Sequence, residues 1–374
     1  MPSTALREQV IAQTRSLVVK LGTALLTDAG GGPDQRFLDD LARQVAILRG
    51  RGIDVTLVSS GAVGSGCTAL NLGERPTDIS VLQAVAAVGQ TGLMSRWRRA
   101  FEPHGLEVAQ MLLTRDDFEN RQRYLNIRNC ITELHGLAAV PIINENDTVS
   151  VEEIRFGDND VLAALVTNAL RADCLVLLSV VDGLNDASGR VVEMVNDPHE
   201  ARRLVVAERT AMGSGGMETK LEAARLVTSA GEVAVIGNGR EPDLLLRLLE
   251  GEKLGTVFVP AERKLDSRAR WIGMTVRPAG ALTVDEGAVR ALVEHHRSLL
   301  ASGIVEIVGR FEKGDVVVIR DGRGREIGRG LINYDAAETR RIMGRRSEEF
   351  EGLLGRRAYE EVIHRDNMVV AQPH

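Results

Sequence analysis

Lysine is scarce in this chain, and two of its lysines stand where phosphate chemistry would use them. Five of the 46 Lys+Arg residues are lysines, at positions 20, 220, 253, 264 and 313. Codon bias toward arginine accounts for most of that skew, but Lys and Arg are not equivalent beside a phosphate. Lys20 is the penultimate residue of the β-rich run Ser16 to Leu21, which Gly22-Thr23 follows. A strand-end lysine can carry its ammonium into a cleft, and a glycine lets a phosphate approach the backbone. Lys220 closes the Gly-rich run Gly213-Ser214-Gly215-Gly216-Met217-Glu218-Thr219-Lys220, which leads into a helix. Backbone amides and a helix dipole at such a place suit a triphosphate. The run lacks the Gly-Lys-Ser/Thr ending of a Walker A loop. Taken singly, the strand-end lysine reads more plainly as a solvated surface residue, whereas the Gly-rich run reads more readily as a phosphate loop than as a surface loop.

Three further segments put polar groups directly after strands or at a helix start. Ser59-Ser60-Gly61-Ala62-Val63-Gly64-Ser65-Gly66 makes a small-residue turn able to bind an anion. Its glycine spacing does not match a dinucleotide fingerprint. Ile143-Asn144-Glu145-Asn146-Asp147 offers two amides and two acids at one mouth, fit for an amino group and a carboxylate or for local turn bonds. Gly157-Asp158-Asn159-Asp160 opens a helix with three polar residues where one would cap it. His364-Arg365-Asp366-Asn367 mimics a protein-kinase catalytic loop without its companions. His295-His296 has no partner ligands and reads as a solvated helix face.

Alternating strands and helices must position these groups. Strand-like runs are Ser16 to Leu21, Ile53 to Val58, Ala139 to Ile143, Cys174 to Ser179 and Glu232 to Ile236. Helical spacing covers Asp34 to Arg51, a long helix within Pro76 to Phe101, Asp160 to Arg171, and Thr219 to Ala230. Alternation of this kind predicts a mainly parallel sheet covered on both faces, with ligands beyond the carboxyl ends of its strands. Near residue 260 the pattern changes. Val316 to Arg320 and Glu326 to Leu331 predict a hairpin in a small second domain.

Composition narrows the class. The 374 residues are 44% apolar, enough for a buried core and against disorder. Aromatics at 3% argue against a base-stacking surface. Cys67, Cys130 and Cys174 are too few and too scattered for a zinc site or full pairing, and point to a reducing compartment. Residues 1–16 lack a signal-peptide core and no apolar run spans a bilayer, so a cytoplasmic, soluble protein without membrane contact is expected. Neither half is strongly basic; residues 281–374 carry a net charge of −1.

The ordered motifs VVKLGT, SSGAVGSG, INEND, GDND and GSGGMETK, followed by a small β-rich tail, resemble the bacterial glutamate 5-kinases. These form a branch of the amino acid kinase family that carries a C-terminal PUA domain. Gln110 to Arg115, Arg123 to Asn126 and Thr283 to Ala288 agree as well, and the likeness covers nearly the whole chain. The resemblance implies an α/β fold: a three-layer αβα sandwich over residues 1–262, a linker at 263–279, and a PUA-like pseudo-barrel over 280–374. It implies transfer of the ATP γ-phosphoryl group to the γ-carboxylate of L-glutamate, the first step of proline biosynthesis. Carried over by motif, Lys20, Lys220 and Asp160 are catalytic, with Asp160 aiming both lysines. Ser60, Asn144, Asp147 and Asn159 hold glutamate. Lys20, Gly22, Ser179, Val180 and Ser214, Gly215, Gly216, Met217, Glu218, Thr219 and Lys220 hold ATP, and Mg2+ rides on its phosphates rather than on protein ligands.

A homodimer or homotetramer, hand-over to glutamyl phosphate reductase and RNA contact through the tail come with the same resemblance. For the last, Arg320, Arg323, Arg325, Arg329, Arg340, Arg341, Arg345 and Arg346 could form a basic face, although the balanced charge favours a solvated surface. Three positions depart from the family pattern: Val180 stands for an acid, Asn185 for a tyrosine and Ala24 for a serine. Two other readings stay open on the residues alone. One is a kinase of another small acid, and the other is a degenerate kinase serving as a regulator or RNA-binding protein.

Overall fold

A computed structural model describes residues 11, 13–28, 33–150, 158–196, 201, 215–260, 264–355 and 359–370. The chain divides into two compact units, Met1–Lys264 and Leu265–His374.

The first unit is built on an eight-stranded sheet. Its strands are β1 (Ser16–Leu21), β2 (Asp54–Ser59), β3 (Val108–Leu113), β4 (Val140–Glu145), β5 (Cys174–Ser179), β6 (Met194–Val195), β7 (Val233–Asn238) and β8 (Thr256–Phe258). They lie in the order β3-β4-β2-β1-β5-β7-β8-β6. All neighbours are parallel except β7 and β8. The helices between them are α1 (Gln35–Gly50), α2 (Ala62–Ala69), α3 (Ile79–Phe101), α4 (Arg115–Glu119), α5 (Arg121–Gly136), α6 (Asp158–Leu170), α7 (Gly215–Thr228) and α8 (Leu244–Leu249).

Strand parity explains how the sheet is covered. Leu17, Val19 and Leu21 of β1 pack with Val55 and Leu57 of β2, Val140 and Ile142 of β4, and Val176 and Leu178 of β5. This face meets α1 through Leu38, Leu41, Val45 and Leu48, and α3 through Leu93, Trp97 and Phe101. Successive strand residues point to opposite faces, so Val18 and Lys20 face the other layer. There α6 is buried from Leu162 to Ala169, the mark of a helix enclosed on all sides.

Two glycines set the spacing of α2 and α3. A Cβ on Gly66 would lie 1.9 Å from the Val85 carbonyl oxygen, and one on Gly89 would lie 1.9 Å from that of Ala62. The helices therefore touch backbone to backbone, a contact that no other residue type admits.

Most expected elements appear within a few residues of their predicted ends. Helix α7 starts at Gly215, one turn ahead of the expected Thr219, so it takes in the end of the Gly-rich run. Strand β3 was not expected, because it is mostly half-buried and lacks a clean alternation. The two-residue β6 and three-residue β8 are too short to register as periods.

The second unit has a five-stranded sheet of β9 (Gly280–Val284), β10 (Ile304–Gly309), β11 (Val316–Arg320), β12 (Glu326–Leu331) and β13 (Met368–Val370), in the order β10-β9-β11-β12-β13. Strands β11 and β12 form the antiparallel hairpin expected, while β11 runs parallel to β9. Its core gathers Leu282, Val284, Val317, Ile319, Tyr334, Phe350 and Ile363. Residues 267–275, within the stretch expected as a linker, form a helical turn that continues as a wider π-helix over Trp271–Thr275.

Candidate functional site

The carboxyl ends of β1, β2, β4 and β5 open into one cavity of about 280 Å³. That is at the small end of the range for ligand pockets, suited to a compact polar molecule. Lys20, Gly22, Ser60, Asn144, Asp147, Asn159, Asp160, Ser179, Gly216 and Lys220 all line it. These residues come from six separated segments, and the parallel sheet brings them to one mouth.

A fully buried carboxylate sits between two lysines. Asp160, in the first turn of α6, places Oδ1 2.6 Å from Lys20 Nζ and Oδ2 3.4 Å from Lys220 Nζ. The Thr219 hydroxyl donates to the same Oδ2 at 2.7 Å. Lys220 also donates to the Gly216 carbonyl within its own first helical turn, at 3.0 Å. Lys20 and Lys220 are 5% and 8% exposed, so both ammonium groups are largely stripped of water. Burial pushes the Lys20 ammonium below the ordinary lysine range; Asp160 opposes that shift and the charge of Lys220 adds to it. Two partly desolvated cations facing a cavity, with one anion between them, make a site that gains from an incoming polyanion.

Gly22 has a second role. A Cβ there would meet the Leu178 carbonyl at 3.3 Å, and the Gly22 N–H donates to that oxygen at 3.1 Å. The loop after β1 is thus laced against the end of β5, next to Ser179. Arg240, just beyond β7, fastens the same loop from outside. It pairs with Asp34 at 2.5 Å and donates to the carbonyls of Ala24 and Thr27.

The opposite side of the cavity is an amide network. Asn159 donates to the Ser60 hydroxyl oxygen at 3.0 Å and to Asn144 Oδ1 at 3.2 Å. The Glu145 N–H donates to Asn144 Oδ1 at 2.9 Å and to Asn159 Oδ1 at 3.3 Å. Asn144 is 2% exposed and donates to Gln90 Oε1 at 2.9 Å. Asn144 shares its parity with Val140 and Ile142, hence the α3 face of the sheet, whereas Lys20 is on the α6 face. The cavity straddles the sheet edge and draws on both layers.

Gly61 turns the chain into α2 at φ = +100°, a left-handed conformation that favours glycine. Among the three glycines of that motif, Gly61 and Gly64 line the cavity while Gly66 serves helix packing.

Other expected residues fall elsewhere. Val180 is 50% exposed; it, Met217 and Glu218 are not among the cavity-lining residues. Gly215 opens α7, and Ser214 lies outside the described residues. The remaining lysines have structural partners: Lys253 with Glu193 at 3.0 Å, Lys264 with buried Glu232 at 2.8 Å, and Lys313 over the Tyr359 ring at 4.5 Å. In the tail, Arg325 and Arg329 pair with Asp321 and Glu326, and Arg340 and Arg341 donate to backbone carbonyls. Four of the eight arginines considered for a basic face are therefore already engaged. His295 and His296 are exposed.

Two cavity neighbours were not foreseen. Gln90 sits on the buried stripe of α3 with Leu82, Val85, Ala86, Leu93 and Trp97. A polar residue at that spacing was a readable signal. Arg75 lines the cavity from the loop before α3, and nothing in its local pattern marks it.

Comparison with known proteins bears on this geometry. Residues 15–238 match the model of the amino acid kinase family, and residues 280–354 match the PUA domain. The glutamate 5-kinase of Citrifermentans bemidjiense is 45% identical over 372 residues, spanning 98% of this chain and 100% of that protein. The glutamate 5-kinase of Chromohalobacter salexigens is 46% identical over 376 residues, spanning 98% and 99%. A solved UMP kinase from Bacillus anthracis is 17% identical, with a TM-score of 0.46 over 66% of this chain and 96% of that one.

Proposed function

The chain belongs to the amino acid kinase family, and we propose that its site transfers the γ-phosphoryl group of ATP to the γ-carboxylate of L-glutamate. The product is L-glutamyl 5-phosphate, and the reaction opens proline biosynthesis. One observation carries the assignment of roles: a buried aspartate flanked by two lysines shares a small cavity with a set of hydrogen-bonded amides and hydroxyls.

The reaction forms a bond between a carboxylate oxygen and the γ-phosphorus and breaks the bond from that phosphorus to the β–γ bridging oxygen. ADP leaves. The nucleophile is already ionised at neutral pH, so no general base is needed. The difficulty is bringing two anions together. Phosphoryl transfer of this kind depends on positioning and charge stabilisation. A lysine about 4 Å from the migrating charge offers roughly 4 kcal/mol of gross attraction at an effective dielectric near 20. Lys20 and Lys220 contribute that charge, and Asp160 keeps both aimed. Ser60, Asn144, Asp147 and Asn159 hold the amino acid. Asp147 supplies the anion that an α-ammonium group calls for. Gly22, Ser179 and the start of α7 receive the nucleotide, which would arrive as its magnesium complex with part of the phosphate charge already offset. An acyl phosphate is labile in water, so hand-over to glutamyl phosphate reductase, in the cytoplasm and from a homodimer or homotetramer, completes the proposal.

The test is direct. The protein is incubated with ATP, magnesium and a panel of small acids, with hydroxylamine to trap any acyl phosphate as a hydroxamate. Glutamate-dependent hydroxamate above a Lys20→Ala control is expected. Its absence, or a clear preference for another acid, overturns the acceptor.

A further inference from the structure

One backbone N–H dictates the orientation of three side-chain amides beside the cavity. The Glu145 N–H can only donate, so the atoms facing it on Asn144 and Asn159 are their oxygens. Asn159 must then turn its NH2 toward Ser60 Oγ and Asn144 Oδ1. Asn144 must turn its NH2 away from Glu145, where it meets Gln90 at 2.9 Å. Gln90 therefore presents its carbonyl oxygen. It is 8% exposed, anchored on α3, and follows Gly89, whose missing side chain lets α3 press against α2.

The chain of donors has a direction. Asn144 Oδ1 is filled by two donors, and one of its two amide hydrogens is taken by Gln90. One Asn144 hydrogen remains for a ligand. Ser60 Oγ accepts from Asn159, which leaves its hydroxyl hydrogen free to donate. Both remaining groups are donors, the polarity that a carboxylate oxygen requires.

We propose that Gln90 is a positioning residue for the acceptor: its Oε1 locks the Asn144 amide so that a hydrogen-bond donor, not an acceptor, meets the amino-acid substrate. Without an oxygen at position 90, the Asn144 NH2 loses its buried partner, and only the bonds at its Oδ1 still hold the amide. This inference rests on the glutamate reading given above. It concerns acceptor binding only, because Gln90 is on the α3 face, away from the two lysines.

The experiment compares wild type, Gln90→Met, Gln90→Asn, Asn144→Ala and the Gln90→Met/Asn144→Ala double variant. Met keeps the volume and removes the acceptor, while Asn keeps the amide and withdraws it by one methylene. Steady-state KM for glutamate and for ATP is read from hydroxamate formation, and folding from thermal melts. Each single Gln90 variant should raise the glutamate KM about tenfold, the worth of one hydrogen bond to a charged group. The ATP KM should stay within about twofold. The double variant should bind glutamate no worse than Asn144→Ala alone, because Gln90 acts through Asn144. Unchanged glutamate KM in both Gln90 variants, equal rises for the two substrates, or additive effects in the double variant would overturn the proposal. Lack of glutamate turnover by wild type would instead sink the acceptor assignment.

Discussion

Replacing Asp160 by Asn isolates the charge on which the lysine pair depends. The side chain keeps its shape and one oxygen, but the negative charge goes. In the folded protein that charge lies 2.6 Å from one ammonium and 3.4 Å from the other. At an effective dielectric near 20, these separations correspond to about 6 and about 5 kcal/mol of gross attraction. Desolvation of three buried ions cancels most of that sum, and breaking a buried pair by removing one partner costs about 3–5 kcal/mol. For a unit of this size such a loss lowers Tm by about 10 °C. MgATP should then raise the melting temperature of Asp160→Asn by more degrees than that of wild type, because phosphate oxygens supply the missing counter-charge. Turnover should fall about 10²–10³-fold, the usual cost of losing one aimed electrostatic element. The pH profile provides an independent reading. Asp160 is the group that raises the Lys20 pKa against its burial. In its absence Lys20 loses its proton at lower pH, and the alkaline fall of kcat/KM moves toward neutrality. Melts with and without MgATP, with hydroxamate assays from pH 7 to 10, measure all three effects. A variant with wild-type Tm and turnover within tenfold would refute the reasoning.

Three other outcomes follow from the same structure. Lys20→Arg and Lys220→Arg should each lose most turnover while staying folded, since a planar fork replaces a compact charge beside the migrating phosphoryl group; near-normal kcat in either returns that lysine to background. His135 accepts at Nδ1 from Arg49 at 3.0 Å, so its proton sits on Nε2, 3.0 Å from Thr56 Oγ1. Burial pushes its pKa below the usual histidine value; Asp54 opposes this and Arg49 reinforces it. The unfolded chain therefore takes up that proton first, and stability is full above about pH 6.5 and falls as pH drops through the folded pKa. Urea unfolding should show a shallower acid loss in His135→Gln, and an unchanged slope would exclude His135. Gly89→Ala should destabilise by about 1–3 kcal/mol through the α2–α3 contact, or more if the helices cannot part; a melt within 1 °C of wild type would show that the contact yields freely.

Periodicity carried the frame of the first unit because β1, β2, β4, β5 and β7 are mostly apolar and buried along nearly their whole length, and α1 has a clear apolar stripe. It failed where the signal has no period to offer, as in β6 and β8, or where a strand is half-buried, as in β3. The site was legible in a different way. Lys20, Asn144, Asp160 and Lys220 stand out as polar groups at element ends, and a parallel sheet gathers element ends at one edge. Nothing local marks Asp160 as the acid that meets the lysines; its place in the first turn of the buried α6, packed between α5 and α7, decides it. Gln90 and Gly66 show the limit from the other side. Each is a small irregularity in a helix, and each has meaning only against a second element, Asn144 for one and the Val85 carbonyl for the other. Strand parity then explains why the two halves of the cavity differ in chemistry. Even-numbered Lys20 faces the layer that holds Asp160 and Lys220, and Asn144 faces the layer that holds Gln90. Helix α6 joins the two sets at that edge, with Asn159 in the amide network and its neighbour Asp160 between the lysines.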